Sequence, residues 1–213
     1  MENNAFNLSS PRNPMVSIKV IPGHFAAGNS HITHYLDMSN LKSSALLARD
    51  VANELAIPYL TSTLIDTIVC MEGTEVIGAY LAEELLRDGT FVMNTGDDIH
   101  VITPMTNIHG KLFFHSSVHE LIRDKNVLML VASVSTGNTV NRLLECINYY
   151  GGHLIGVAAL FSANPDSVTH EINAVFTSDE IPNYHHCLPS ECEMCKTGHK
   201  LDANANSEGY TKI

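Results

Sequence analysis

The chain is poor in cations: Lys and Arg total 12 against 23 Asp and Glu, for a formal net charge of −11 over 213 residues. Binding to DNA or RNA irrespective of sequence needs basic surface to displace counterions, so nucleic acid is excluded as a partner. Long hydrophobic runs are missing too. No stretch reaches the roughly 18 apolar residues of a membrane-spanning helix, and no membrane partner is expected. Met1 to Pro14 is polar and lacks the apolar stretch of a secretory signal, which makes the cytoplasm the expected compartment. Gly-Lys-Ser/Thr is absent, which excludes the common nucleoside-triphosphate loop. No Gly-x-Ser-x-Gly elbow surrounds Ser133 or Ser135, so neither is read as a hydrolase nucleophile.

What is present describes a globular chain, 45% hydrophobic and 16% charged, long enough for one domain with a sizeable core. Five cysteines is an odd count. Cys70 and Cys146 fall inside apolar runs, where a reduced buried thiol is expected. The other three cluster near the end of the chain.

Residues 15–38 are too rich in Gly, His and Ser for a plain strand or helix and read as a hairpin or loop-bearing extension. From Ser39 to Ile57, Leu41, Ala45, Ala48, Ala52 and Leu55 recur at helical spacing, with Asp37 or Ser39 as the cap and Pro58 as the stop. Asp66–Met71 reads as a buried strand, followed by a turn at Gly73 and a helix with Ile77, Leu81 and Leu85 on one face, ended by Gly89. Strands are expected at Thr90–Asn94, Ile99–Thr103 and Lys111–Phe114, with turns at Thr95–Asp98 and Asn107–Gly110. A short helix follows around Val118–Arg123. Asn126–Ala132 is apolar almost throughout and belongs in the centre of a parallel sheet. Val140, Leu143, Leu144 and Ile147 then mark a helix closed by Gly151-Gly152, and further strands fall at His153–Phe161 and Asn173–Thr177. Buried strands alternating with helices predict an α/β fold with a parallel sheet.

The loop Ser133–Asn138 and the helix start at Thr139 stand between such a strand and helix. Ser133, Ser135, Thr136, Gly137, Asn138 and Thr139 have the composition of a phosphate cradle. Small hydroxyl residues and a glycine let backbone N–H groups converge on an anion, and the helix N-terminus adds partial positive charge. An ordinary strand-to-helix turn with a Ser/Thr cap is the alternative.

Val127-Leu128-Met129-Leu130-Val131-Ala132-Ser133-Val134-Ser135-Thr136-Gly137-Asn138-Thr139 resembles the phosphoribosyl-diphosphate fingerprint of type I phosphoribosyltransferases, especially the orotate branch. Gly28–Asp37 is similar to their N-terminal hood. Ile68–Glu75 and its helix are similar to their diphosphate loop, which places Glu72, Gly73, Thr74 and Glu75 there. Cys192-Glu193-Met194-Cys195-Lys196-Thr197-Gly198 resembles a Cys-x-x-Cys-x-x-Gly ending found in part of that branch. The resemblance spans most of residues 21–200. It implies a parallel-sheet core over 39–180, an N-terminal segment and hood over 1–38 and a Cys-bearing tail over 181–213. It also implies a homodimer, a nucleotide or phosphosugar ligand and, in an active enzyme, magnesium with orotate as the base.

The departures all fall on charge. Two adjacent acids grip the ribose hydroxyls in the family, and Val131 and Ala132 stand in their place. The mobile loop that carries Arg and Lys in active orotate enzymes matches Met93–His100, which has neither and holds Asp97 and Asp98. Glu75 occupies a place usually held by glycine. A carboxylate about 4 Å from a diphosphate charge costs about 4 kcal/mol at an effective dielectric of 20. Transfer depends on stabilising the departing diphosphate, so these losses predict transferase chemistry that is lost or altered beside a surviving 5′-phosphate cradle. An active orotate-type transferase is the alternative.

Cys187, Cys192, Cys195 and His199, with His185 and His186 just ahead, have spacing compatible with tetrahedral zinc. A packed tail of free thiols is the expected reading and zinc the alternative. Most of the 12 histidines are read as surface residues. His24, His31 and His34 share the hood-like segment, where the resemblance places them near a ligand. Glu83-Glu84 reads as a solvated helix face.

Overall fold

The computed structural model describes residues 2–87, 93–94, 98–164 and 166–213. After a short strand β1 (Phe6–Ser9), β2 (Ser17–Ala27) and β3 (Ser30–Asp37) form the expected hairpin, turning at Gly28 with φ of 57°. A register shift between Pro22 and Phe25 puts His24 in a bulge. Pro22 brings no N–H to the ladder, and a bulge bends the strand and re-aims its side chains. His24 is fully buried there.

The single helix expected over 39–57 is two: α1 (Ser39–Ser43) and α2 (Ala45–Ala56). The N-cap of α1 is Met38, not the expected Asp37 or Ser39, although Asp37 Oδ1 accepts the Ser39 N–H at 3.0 Å; Ser44 then leaves the helical conformation with ψ of 120° and its hydroxyl accepts the Leu47 N–H at 3.4 Å. A serine able to satisfy a first-turn N–H can restart a helix in a new direction. The apolar spacing carries across such a break unchanged, which is why periodicity missed it.

The main sheet has the order β10-β9-β8-β4-β5 and is parallel throughout. Its strands are β4 (Thr67–Cys70), β5 (His100–Ile102), β8 (Asn126–Val134), β9 (His153–Ser162) and β10 (Ile172–Thr177). Helix α3 (Glu75–Leu86) follows β4, and a small hairpin, β6 (Met105–Thr106) with β7 (Leu112–Phe113), precedes β8. The turn of that hairpin is the expected Asn107–Gly110, whereas β6 had no sequence signal. The short helix expected around Val118–Arg123 is a 3₁₀ helix over Ser116–Leu121. Thr90–Val92, Gly89 and the turn residues Thr95–Asp97 lie outside the described residues.

Side chains alternate across β8, so each face builds its own core. Leu128, Leu130 and Ala132 pack with α2 and α3, whereas Val127, Met129 and Val131 pack with α4 (Asn138–Tyr149) through Val140, Leu143 and Ile147. All six of those strand residues are fully buried.

The last part of the chain joins the N-terminal hairpin. β11 (His186–Cys187) pairs antiparallel with β3, and β12 (Ala203–Ala205) pairs parallel with β2 and antiparallel with β13 (Tyr210–Lys212). A short helix α5 (Glu193–Lys196) lies between them. Phe25, Tyr35, Ala203 and Ala205 form a third apolar cluster that joins these strands.

Candidate functional site

The carboxyl ends of β4 and β8 and the pocket face of the β2–β3 hairpin enclose a cavity of about 450 Å³. Open α/β sheets bind ligands at the carboxyl ends of their strands because loops and helix N-termini converge there. Ser133, Ser135, Thr136, Gly137, Asn138 and Thr139 all line this cavity. Gly137 takes φ of 78°, a left-handed conformation that a β-carbon opposes, and so turns the chain into α4. No side chain caps α4. Its first-turn N–H groups, which have no partner within a helix, are therefore left to a ligand or water at the cavity floor. The loop is braced from behind, since the Ser167 hydroxyl donates to the Thr136 carbonyl at 2.7 Å and Asn141 Nδ2 donates to the Ser167 carbonyl at 3.2 Å.

Of the four residues in the loop after β4, Glu72 lines the cavity and Gly73, Thr74 and Glu75 do not. Glu72 has φ of 61°, and its Oε2 accepts the backbone N–H groups of Ala132 and Ser133 at 3.2 Å each. Burial pushes its carboxyl above the usual range, opposed by those two N–H groups and by the Lys42 charge. Lys42 Nζ donates to the carbonyls of Glu72 at 3.0 Å and Ser207 at 2.7 Å. Thr74 is buried and spends its hydroxyl on the Met71 and Leu130 carbonyls, a structural duty. Glu75 begins α3, where a negative charge suits the helix dipole, and its Oε1 accepts from the Thr103 hydroxyl at 3.2 Å.

The hairpin supplies the opposite wall. Alternation along β3 sends Ser30, Ile32 and His34 into the cavity and turns His31 to the other face. Of the three hood histidines, only His34 lines the cavity. Tyr184, which no sequence motif marked, lines it as well: it stacks on His34 at 6.2 Å between ring centroids and packs edge-on against Phe161 at 5.2 Å. Burial pushes the Tyr184 phenol up, opposed by the Ser135 side chain, while burial followed by the His185 charge lowers the His34 pKa. Asn206 and Ser207 close the rim. Among the described residues no Lys or Arg lines the cavity and Glu72 is the one carboxylate that does, while Lys42 Nζ sits on the carbonyls of two lining residues, Glu72 and Ser207.

Val131 and Ala132, at the acid positions of the resemblance, are fully buried on opposite faces of β8 and do not line the cavity. Met93, Asn94, Asp98, Ile99 and His100 of the cation-free loop are likewise absent from its lining. Asn94 is buried and structural: its Oδ1 accepts the Ile65 N–H at 2.8 Å.

A second cluster lies on the far face of the hairpin. His24, His31, Cys192 and Cys195 bring their ligand atoms within 4.8 Å of one another. The tail spacing pointed to Cys187 and His199 in place of the two hood histidines. Cys187 is not one of the four, although its thiol hydrogen bonds with that of Cys192, and His199 takes part through its backbone carbonyl, 3.1 Å from His24 Nδ1.

No protein-family model matches the chain. The adenine phosphoribosyltransferase of Thermoanaerobacter pseudethanolicus superposes with a TM-score of 0.54 at 16% identity, covering 76% of this chain and 96% of that one. The UMP synthase of Leishmania donovani superposes with a TM-score of 0.52 at 18% identity over 70% of this chain, which spans only 31% of the synthase. The fold is that of the type I phosphoribosyltransferases. In sequence the chain is similar to an orotate phosphoribosyltransferase, that of Sulfurimonas denitrificans, which is 26% identical across 84% of this chain and 89% of that protein. No helix among the described residues is long and apolar enough to cross a membrane.

Proposed function

We propose that the cavity binds a nucleoside 5′-monophosphate or a related 5′-phosphosugar, with the phosphate over the N–H groups of Thr136 to Thr139, and that phosphoribosyl transfer is lost or altered. One observation carries the reading: an uncapped helix N-terminus opens into a cavity whose lining, among the described residues, holds no Lys or Arg and a single carboxylate. A 5′-phosphate can be held there by amides and helix dipole alone. A departing diphosphate carries more charge, and the cation at the edge of the pocket, Lys42, is already engaged by the carbonyls of Glu72 and Ser207. Tyr184, His34 and Phe161 give the cavity aromatic surface of the kind that packs against a base or ribose.

Similarity to an orotate phosphoribosyltransferase favours a second reading, an active transferase using phosphoribosyl diphosphate and magnesium. The described lining offers that metal little beyond what a diphosphate would bring. Magnesium asks for carboxylates to hold it or the ligand that carries it, and the one lining carboxylate, Glu72, already accepts two backbone N–H groups through Oε2. A cytoplasmic homodimer accompanies both readings as an implication of the resemblance.

Calorimetric titration with uridine and adenosine 5′-monophosphates, the matching nucleosides, and phosphoribosyl diphosphate with and without magnesium separates the two. The expected result is monophosphate binding that the nucleosides do not reproduce and magnesium does not change. Micromolar binding of phosphoribosyl diphosphate that requires magnesium, about −8 kcal/mol, would favour the transferase.

A further inference from the structure

We propose that His24, His31, Cys192 and Cys195 hold a zinc ion that staples the C-terminal segment to the β2–β3 hairpin and so fixes the roof of the cavity.

The argument begins with distances. His24 Nε2 lies 3.2 Å from His31 Nδ1, 3.3 Å from Cys192 Sγ and 3.6 Å from Cys195 Sγ, and Cys195 Sγ lies 3.4 Å from His31 Nδ1. A ring nitrogen has one lone pair or one proton and cannot hydrogen bond to three atoms at once. Around tetrahedral zinc, with Zn–N of about 2.05 Å and Zn–S of about 2.3 Å, the ligand atoms stand about 3.3 Å apart for N···N and about 3.6 Å for N···S. These separations agree with four of the six edges of that tetrahedron to within about 0.3 Å, and the remaining two pairs lie within 4.8 Å.

The histidine tautomer gives independent support. His24 Nδ1 meets the carbonyls of His199 at 3.1 Å and Lys200 at 3.2 Å, two acceptors that require a proton on Nδ1. Nε2 is then the lone-pair nitrogen and faces the cluster centre. A metal-bound histidine commonly donates its other N–H in this way, which sets both tautomer and ring orientation. The turn that supplies those carbonyls is built for it: Lys196 N–H donates to the Cys192 carbonyl at 3.1 Å, Gly198 N–H donates to the Cys195 carbonyl at 3.0 Å, and Gly198 takes φ of 80°.

Charge and chemistry agree. Two neutral imidazoles and two thiolates on a divalent ion form a neutral centre, which suits a site where His24 is fully buried and Cys192 is 4% exposed. Nitrogen and sulfur donors select zinc over magnesium or calcium. All five cysteines are free thiols, so no disulfide competes for Cys192 and Cys195.

The site joins residues 168 apart in sequence, and the chain beyond it runs directly to the cavity. His24 N–H donates to Asp202 Oδ2 and Asp202 N–H donates to the His24 carbonyl, both at 2.8 Å, after which β12 leads to Asn206 and Ser207 on the rim.

The test uses the full chain, purified without a histidine tag under reducing conditions and with no nucleotide present, so that its outcome is independent of what the cavity binds. One zinc per chain is expected, with two sulfur and two nitrogen neighbours by X-ray absorption, and cobalt substitution should give the spectrum of a tetrahedral thiolate site. Cys187→Ser should keep the metal, and Cys195→Ser should lose it. Zinc removal should raise amide exchange over residues 24–36 and 199–207 while leaving β8 and β9 protected. Well under one zinc per chain that cannot be raised by adding zinc, or a different metal in its place, would overturn the proposal. A first shell of three sulfurs, or loss of metal in Cys187→Ser, would overturn the ligand set. The X-ray absorption result needs no variant and decides the matter even if Cys195→Ser fails to fold.

Discussion

The Glu72 carboxylate accepts the backbone N–H of Ser133, and of Ala132 beside it, so the loop after β4 is tied to the end of β8 by a negative charge that also faces the cavity. Glu72→Gln removes the charge and keeps an oxygen for the same two N–H groups. The variant should fold normally and bind a nucleoside monophosphate about fivefold more tightly, which corresponds to about 1 kcal/mol of relieved repulsion. Titration of variant and parent side by side measures it. Weaker binding by the variant would mean that Glu72 serves the ligand directly.

Thr139 gives a variant in which stability and affinity should move in opposite directions. Thr139→Asp places a carboxylate in the first turn of α4, where the helix dipole favours it by about 0.3–1 kcal/mol. The same carboxylate repels a phosphate over that turn. Thermal stability should hold or rise while monophosphate affinity falls at least about tenfold, or about 1.4 kcal/mol. Unchanged affinity in a well-folded variant would place the phosphate elsewhere.

The main sheet was legible because its central strands are apolar on both faces, as β8 and β9 show, and because α4 keeps its spacing through Val140, Leu143 and Ile147. The turn Ser133–Thr139 was legible for a related reason: a strand-to-helix turn is local, built from consecutive residues. What was hidden is long-range. Nothing near Cys192 in sequence announces His24, and nothing around Tyr184 announces His34. His24-x6-His31 and Cys192-x2-Cys195 each have metal-ligand spacing, but only the fold shows that they are halves of one cluster. The break at Ser44 was hidden because the apolar positions stay in phase across it.

The acid positions of the resemblance lead to a prediction that sequence alone reverses. Putting carboxylates at Val131 and Ala132 looks like restoration of the family's ribose grip, yet both side chains are fully buried, one in each core. A buried unpaired carboxylate costs several kcal/mol even after relaxation. The double variant Val131→Asp, Ala132→Asp should lose at least about 4 kcal/mol of stability by urea unfolding and gain no magnesium-dependent binding. A stable double variant that binds phosphoribosyl diphosphate with magnesium would show that the acid pair alone separates this chain from the transferases.

Ser44 caps α2 through the Leu47 N–H, and α2 buries Ala48, Val51, Ala52, Leu55 and Ala56 in the larger core. Ser44→Ala should cost about 1 kcal/mol, which for a chain of this size lowers the melting temperature by about 2–4 °C. Calorimetry is the check. Ser44→Asp, which keeps a side-chain oxygen at the cap, should recover most of the loss; equal losses in both variants would assign the effect to something other than the cap.

Glu54 makes stability depend on pH. It is 5% exposed, its Oε2 accepts from the Ser10 hydroxyl at 2.6 Å, and its Oε1 meets no hydrogen-bond partner among the described residues. Burial pushes the carboxyl above the usual range, Ser10 and Arg12 oppose the rise, and Asp50 and Glu180 add to it. An acid with a raised folded pKa holds its proton more tightly folded than unfolded. The folded state is therefore penalised above that pKa, and the penalty fades as pH falls through it toward the unfolded value. Glu54→Gln removes the ionisation and keeps a polar group of the same shape for Ser10. At about pH 8 the variant should exceed the parent in stability by about 1 kcal/mol, the scale of one buried polar group left without a partner. Its lead should shrink toward about pH 5, near the ordinary carboxylate range. Urea unfolding of both proteins across that interval reads the difference directly and cancels every other titrating group the two share. A variant less stable than the parent by the same margin at every pH would show that Glu54 acts through its hydrogen bond to Ser10 and not through its charge.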